Sequence, residues 1–213
     1  MATGRFITFE GGEACGKSTQ IQRLAERFRE LGRAVRVLRE PGGTPLGEKI
    51  RHLLKHDPDG RGMAAETELL LMNASRAELV RQVIRPALDA GEIVLSDRFY
   101  DSTTAYQASG RQLAASAVSS VIDFAVGAIR PDLTLLLHLP RAEALHRLRQ
   151  RNAETAPVED RFESEKEAFF QRVEAGYRAV AAAEPDRVRL IDAAGDVESV
   201  ARQVWAEVQR VLG

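Results

Sequence analysis

Apolar residues along this chain follow two alternating rhythms. Short, almost continuous apolar runs occur at Arg5–Phe9, Ala34–Leu38, Ile93–Ser96, Leu133–Leu139 and Val188–Ile191, the pattern of strands buried on both faces. Between them the apolar positions repeat every three to four residues, as on one face of a helix. From Lys17 to Leu31, Ile21, Leu24, Ala25, Phe28 and Leu31 share a face, and Gly32 is the predicted stop. A longer helical stretch spans Ala64–Leu88, with a bend or division predicted before Pro86. Phe162–Ala183 and Val197–Leu212 complete the series, and Trp205 joins Val204 and Val208 in a core-facing stripe. Strands alternating with helices predict an α/β fold, a five-stranded parallel sheet flanked by helices. The apolar run Leu133–Leu139 reads as a central strand closed by Pro140.

No internal repeat, low-complexity tract or linker divides the 213 residues, so a single domain, 1–213, is expected. Thirty basic against 31 acidic residues leave a net charge of −1. No global field therefore argues for nucleic acid or an anionic membrane, and phosphate affinity must come from local clusters. A single cysteine, Cys15, excludes an intramolecular disulfide and a cysteine-based zinc site. No run approaches a membrane span, and Met1–Arg5 reaches the first strand too soon to include a signal peptide, so the cytoplasm is the expected location. His52, His56, His138 and His146 form no complete ligand pattern, which leaves Mg²⁺ brought by a nucleotide as the one metal expected.

The sharpest chemistry lies between the first strand and the first helix. Gly11-Gly12-Glu13-Ala14-Cys15-Gly16-Lys17-Ser18-Thr19 satisfies G-x-x-x-x-G-K-[ST], the phosphate-binding loop, in the strand-then-helix context the motif requires. Consecutive backbone N–H groups must wrap a polyphosphate closely, which side chains at Gly11 and Gly16 would obstruct, while the following helix offers its N-terminal dipole. Lys17 is placed to reach the β- and γ-phosphates of ATP, and the Ser18 hydroxyl to ligate Mg²⁺.

Other segments gain meaning from that loop. Arg39-Glu40-Pro41-Gly42-Gly43-Thr44 forms a loop at the carboxyl end of the second strand, the edge where ligands of open α/β sheets collect. Asp97 ends the third strand where phosphate-loop enzymes hold the Mg²⁺ shell, and Arg98 is then placed to reach a transferring phosphate. The run Asp101-Ser102-Thr103-Thr104-Ala105-Tyr106-Gln107 carries an amide and a phenol able to read a base or sugar, and also reads as an N-capped helix start. Arg76 falls beside an apolar stripe and must either meet an acceptor or extend to water. Arg147, Arg149, Arg151 and Arg161 flank the polar stretch Asn152–Glu159, the outline of a mobile lid over approximately 148–161. Arg147 and Arg151 share a helix face while Arg149 points elsewhere, so the three cannot all grip one anion.

Taken in order, Phe9-Glu10-Gly11-Gly12-Glu13, Gly16-Lys17-Ser18-Thr19, Arg39 to Thr44, Asp97-Arg98-Phe99, Ala105-Tyr106-Gln107, Arg130-Pro131-Asp132-Leu133 and Asp160-Arg161-Phe162-Glu163 resemble bacterial thymidylate kinase over nearly the whole chain. The resemblance implies the nucleoside-monophosphate-kinase fold with a small lid, a homodimer, and transfer of the ATP γ-phosphoryl group to dTMP. It places Glu13 near the sugar 3′-hydroxyl, and Arg39, Pro41, Arg51, Arg76, Arg98 and Gln107 around dTMP. Arg51 and Arg98 would face the phosphate, and Arg76 and Gln107 the thymine. Tyr106 would occupy the place of a ribose 2′-hydroxyl, and Ser102 and Thr103 match a variable polar part of the site. With Ala14 and Cys15 in the phosphate loop and no arginine there, the chain resembles the type whose catalytic arginine sits in the lid, with Arg149, Arg151 and Arg161 as candidates. Two positions depart from many relatives. Ala14 stands where glycine is common, which fits only if its φ is negative, and Met72 replaces an aromatic that would stack on the base. A related kinase with another acceptor and a non-catalytic nucleotide-binding switch remain open at this point.

Overall fold

The computed structural model describes residues 4–154, 161–162 and 165–212, the side chains of residues 151–154 and 212 excepted. Its five strands are β1 (Arg5–Gly11), β2 (Val35–Arg39), β3 (Ile93–Asp97), β4 (Leu133–His138) and β5 (Val188–Asp192). They form one parallel sheet in the order β2-β3-β1-β4-β5. Within each apolar run, alternate side chains go to opposite faces. Ile7, Phe9, Ile93, Leu95, Leu133, Leu135 and Leu137 pack on one face with Ile21, Leu24 and Phe28 of α1 (Lys17–Glu30) and with Val200, Val204 and Val208 of α9 (Val197–Leu212). Phe6 and Val94 face the other way and meet α3 (Ala65–Leu79) and α6 (Ala115–Val126) through Leu69, Leu79, Val118 and Ile122. Leu136, also on that side, is covered by Phe169, Val173 and Tyr177 of α8 (Glu167–Ala183). On the first face, Trp205 is half-buried against the α1–α9 cluster, edge-on to Phe28.

The remaining helices are α2 (Pro45–Lys55), α4 (Arg85–Asp89), α5 (Tyr100–Thr103) and α7 (Arg141–Glu154). Helix α2 starts on the signal its sequence carries: the Thr44 hydroxyl accepts from the Gly47 N–H at 2.9 Å, and Pro45 occupies the first turn, where no N–H is needed. Among the described residues no helix is long and apolar enough to cross a membrane.

Three sequence-based expectations change. The strand β4 is interior but stands beside β1, which is the central strand. Both are buried on two faces, so apolar content alone does not separate them. The stretch 64–88, by contrast, divides before Pro86 as expected: α3 stops at Leu79 and a π-helical turn, Val80–Ile84, precedes α4. The wider turn lies where the Pro86 ring would meet the carbonyl of Gln82 in an undistorted helix. Helix α8 begins at Glu167 rather than Phe162. Arg161 and Phe162 lie in a turn because the Arg161 N–H bonds to the Lys55 carbonyl at 3.0 Å and Phe162 packs edge-on to Tyr106. Finally, Asp101, Ser102 and Thr103 do not cap a helix. They lie inside α5, which continues as a π-helix over Thr104–Gly110, and all three are buried.

Asp101 owes its burial to an ion pair. Its carboxylate accepts from Arg187 at 2.7 and 2.9 Å and from the Thr134 hydroxyl at 3.1 Å, and that hydroxyl lies 2.8 Å from Thr8 on β1. One carboxylate therefore ties α5 to β1, β4 and the start of β5. Asp101→Ala leaves Arg187 largely buried without its main partner and should cost about 3–5 kcal/mol. Urea unfolding measures this directly, and a loss below about 1 kcal/mol, the scale of a surface pair, would contradict it.

Candidate active site

The carboxyl ends of the strands converge on one crevice. Register places Phe9 beside Asp97 and Asp97 beside Arg39, so the three strand ends line up across the sheet. The chain leaves β1 toward β2 on one side, whereas β4 and β5 lie on the other. The crevice thus sits at a topological switch point.

The loop from Gly11 to Thr19 opens into this crevice. Gly11 has φ 128°, and a side chain there would come within 2.3 Å of the Leu137 carbonyl; Gly16 has φ 92°. Neither position accepts an ordinary side chain without strain. Lys17 is buried and donates to the carbonyls of Gly11 at 3.2 Å and Gly12 at 2.7 Å. Burial and Arg98 pull its pKa down, but Cys15, Glu13 and Asp97 outweigh them, so the ammonium is held above its ordinary value. Ser18 donates to Asp97 at 3.2 Å, which brings the two proposed Mg²⁺ ligands together at the mouth of the loop. Ala14 departs from the requirement drawn from its sequence: its φ is 56°, in the left-handed region.

Arg98 follows the third strand with φ 73°. Its N–H bonds to the Phe9 carbonyl at 2.9 Å, and the neighbouring Phe99 N–H bonds to Glu10 at 2.7 Å. These two bonds hold the strained turn. The guanidinium donates to Glu13 at 2.8 Å, to Tyr177 at 3.0 Å, to Ser102 at 3.1 Å and to Tyr106 at 3.4 Å. Burial alone would raise the Glu13 carboxyl, yet Arg98, Lys17 and Lys55 hold it down at about 2. Glu10, beneath, is fully buried. Burial, reinforced by Asp101, pushes it up to about 7 against the pull of Arg98 and of donors from Ser102 and the Phe99 N–H.

Two cavities meet at this arginine. A cleft of about 990 Å³ is lined by the loop residues Glu13 to Thr19 together with Arg39, Arg51, Asp97 and Arg147. A second, of about 500 Å³, is lined by Pro41, Met72, Arg76, Ser102, Thr103, Tyr106, Gln107 and Phe162. Glu13, Glu40, Lys55 and Arg98 line both. Arg51 donates to the Pro41 carbonyl at 2.9 Å, and Arg39 pairs with Glu48 at 2.9 Å. Arg39 and Asp97 thus border the phosphate-loop cleft rather than the second cavity.

Arg76 does not extend to water. It is 2% exposed and meets Glu40 at 2.7 Å, with further bonds to Asn73, Thr103 and the Phe99 carbonyl. Burial raises the Glu40 pKa against the opposing charge of Arg76. Gln107, 1% exposed, donates through Nε2 to Glu68 at 2.7 Å.

The lid arginines separate. Arg147 lines the phosphate-loop cleft while pairing with Glu143, and Arg149 is exposed. The Arg151 side chain and residues 155–160 lie outside the described residues. Arg161 is not brought to the phosphate loop. Its guanidinium is committed to Glu68 at 2.7 Å and to the Leu54 carbonyl at 2.9 Å, because a carboxylate buried at position 68 needs cationic partners. Sequence reasoning passed over Lys55, Glu40, Phe162 and Arg147 as lining residues. Glu40 and Phe162 sat inside recognised motifs, and Arg147 inside the basic cluster, whereas Lys55 carried no local signal.

A family model described as Thymidylate kinase matches residues 9–204. The thymidylate kinase of Syntrophotalea carbinolica is 47% identical over 208 residues, covering 97% of this chain and 96% of that protein. That of Pseudomonas putida is 48% identical over 210 residues, covering 99% and 97%. The crystal structure of thymidylate kinase from Ehrlichia chaffeensis superposes with a TM-score of 0.77 at 31% identity, covering 97% of this chain and 99% of that one.

The left-handed Ala14 gives one direct test. Ala14→Gly relieves a backbone conformation that disfavours a Cβ and should stabilise the protein by about 0.5–1 kcal/mol, raising the melting temperature by roughly 1–4 °C. Calorimetry reads the change, and a lowered midpoint would contradict the assigned φ.

Proposed function

Because the chain belongs to the thymidylate kinase family, we propose that it phosphorylates dTMP to dTDP across the junction of its two cavities. The bond from the γ-phosphorus of ATP to its bridging oxygen breaks, a bond to a dTMP 5′-phosphate oxygen forms, and ADP leaves. One observation carries this reading: the phosphate-loop cleft and the second cavity share Glu13, Lys55 and Arg98. Phosphoryl transfer needs its two phosphates aligned where cationic charge is dense, and it needs little else from the protein.

Each residue then has a task. Loop amides from Gly11 to Thr19 hold the ATP phosphates, and Lys17 exchanges its two carbonyl partners for phosphate oxygens. Ser18 and Asp97 would hold Mg²⁺, which when bound neutralises phosphate charge. Arg51 and Arg98 face the acceptor phosphate, with Arg39 at the cleft edge. Pro41 and Met72 pack the thymine, and Arg76 and Gln107 face its polar edge. Tyr106, fixed by Phe162, Phe169 and Tyr177, fills the space a ribose 2′-hydroxyl would need. Ser102 and Thr103 act from the wall, their hydroxyls already engaged with Glu10 and Arg76. The segment 148–161, part of which lies outside the described residues, would serve as the lid, and working cations are sought in its Arg149 and Arg151 and in Arg147 just before it. Of these three, Arg147 already borders the cleft. Closing such a lid excludes water and limits loss of ATP to hydrolysis.

A coupled ADP-release assay over the common nucleoside monophosphates tests the whole. Turnover should depend on dTMP, and Lys17→Ala and Arg98→Ala should each lose turnover on the order of a hundredfold or more. Preference for another acceptor, or near-normal turnover in either variant, would overturn the assignment.

A homodimer is proposed as well. The packed helices α3 and α6 carry Leu70 and Phe124, which are 57% and 88% exposed. Large apolar side chains left in water on adjoining helices are characteristic of contact surfaces. Sedimentation should give a dimer for the natural chain and a monomer for Phe124→Glu; a monomeric natural chain would refute the proposal.

A further inference from the structure

Glu68 is a fully buried carboxylate that takes no part in the phosphoryl transfer described above. It projects from α3 behind the wall of the acceptor cavity. One oxygen accepts from Gln107 Nε2 at 2.7 Å and from Arg111 Nε at 3.1 Å. The other accepts from Arg111 Nη2 at 2.9 Å and from Arg161 Nη2 at 2.7 Å. Burial would push this carboxyl up, but the hydrogen bonds and charge of Arg111, the Gln107 bond and the charge of Arg161 together hold it below its ordinary value. It is therefore ionised near neutrality.

An ionised carboxylate can only accept hydrogen bonds. Reversing the Gln107 amide would set its carbonyl oxygen against a buried anion, leaving two acceptors face to face without a proton between them. The NH₂ end is consequently held toward Glu68. The carbonyl oxygen is the end Gln107 can turn to the cavity it lines.

We infer that Glu68, held between Arg111, Arg161 and Gln107, is a positioning residue that sets the polarity of Gln107 and so selects a pyrimidine base carrying a proton on N3. A thymine-type base donates its N3–H to the Gln107 oxygen, whereas cytosine presents a lone pair at N3 and meets that oxygen as a second acceptor. Two residues from the lid's return segment and the turn after the π-helix thus act on base choice without touching the base. This inference rests on the reading of Gln107 as a base contact, and its test separates the two.

The ratio of kcat/KM for dTMP to that for dCMP is measured with ATP and Mg²⁺ in the natural protein, Glu68→Gln, Gln107→Leu and the double variant. A neutral amide at 68 both donates and accepts, so Gln107 is released to turn either way. Glu68→Gln should lose selectivity on the order of tenfold, mainly through KM. The double variant should lose no more than Gln107→Leu alone, since Glu68 acts through Gln107. Full selectivity in Glu68→Gln, or multiplying losses in the double variant, overturns the inference. If Gln107→Leu keeps its selectivity, the base-contact reading falls with it. A measurement on the natural protein covers failure of Glu68→Gln to fold. The Gln107 side-chain amide resonances are identified by their loss in Gln107→Leu. On adding dTMP, the carbonyl ¹³Cδ should shift while the Nε2 protons stay protected from exchange; the opposite response overturns the inference.

Discussion

The guanidinium of Arg98 is the largely buried, multiply bonded cation at the junction of both cavities. It is held by Glu13, Ser102, Tyr106 and Tyr177, at a backbone position that ordinary residues avoid. Such a conformation persists only where the surroundings over-determine it. Here the Phe9 carbonyl grips one side of the turn and the Glu10 carboxylate the other. Because Glu10 lies on β1 immediately before the phosphate loop, the strand that launches the loop also fixes the arginine facing it. The two cavities thereby share one rigid support.

The same device recurs behind the cavity walls. Glu40 holds Arg76, Asp101 holds Arg187, and Glu68 holds Arg111 and Arg161, each carboxylate being almost wholly buried. Buried pairs gain little net stability, because desolvating both ions offsets most of their attraction. What they provide is direction: a guanidinium forked onto a carboxylate keeps a fixed orientation. A phosphoryl-transfer site works by positioning charge, so preorganised ions serve it better than an apolar wall of equal volume. By contrast, Ser18 and Thr19 at the mouth of the loop remain exposed.

Most of the fold was legible locally. The five apolar runs became the five strands, with ends displaced by a residue or two; β1, β3 and β4, buried on both faces, carry the continuous apolar signature most fully, and the edge strands β2 and β5 are only partly buried. Local reading failed where tertiary contacts overrode propensity. Asp101, Ser102 and Thr103 look like helix caps, yet each side chain found a buried partner instead. Phe162 has the periodicity of a helix, yet it packs on Tyr106 in a turn. Ala14 looked acceptable only at negative φ, and the loop imposes a positive one.

The amino-acid sequence by itself determined the alternation of strand and helix, the phosphate loop with Lys17 and Ser18, and the residues that gather at the strand ends. These rest on interactions between near neighbours and on spacing along the chain. Only the tertiary structure decided which ions pair. Arg76 and Glu40 are separated by 36 residues, Arg187 and Asp101 by 86, and Arg161 and Glu68 by 93. A buried charge must find a counter-charge wherever the fold brings one close, and no local pattern names that partner. For that reason Arg161, whose sequence neighbourhood groups it with Arg147 and Arg149, pairs with the buried Glu68, while Arg147 borders the phosphate-loop cleft.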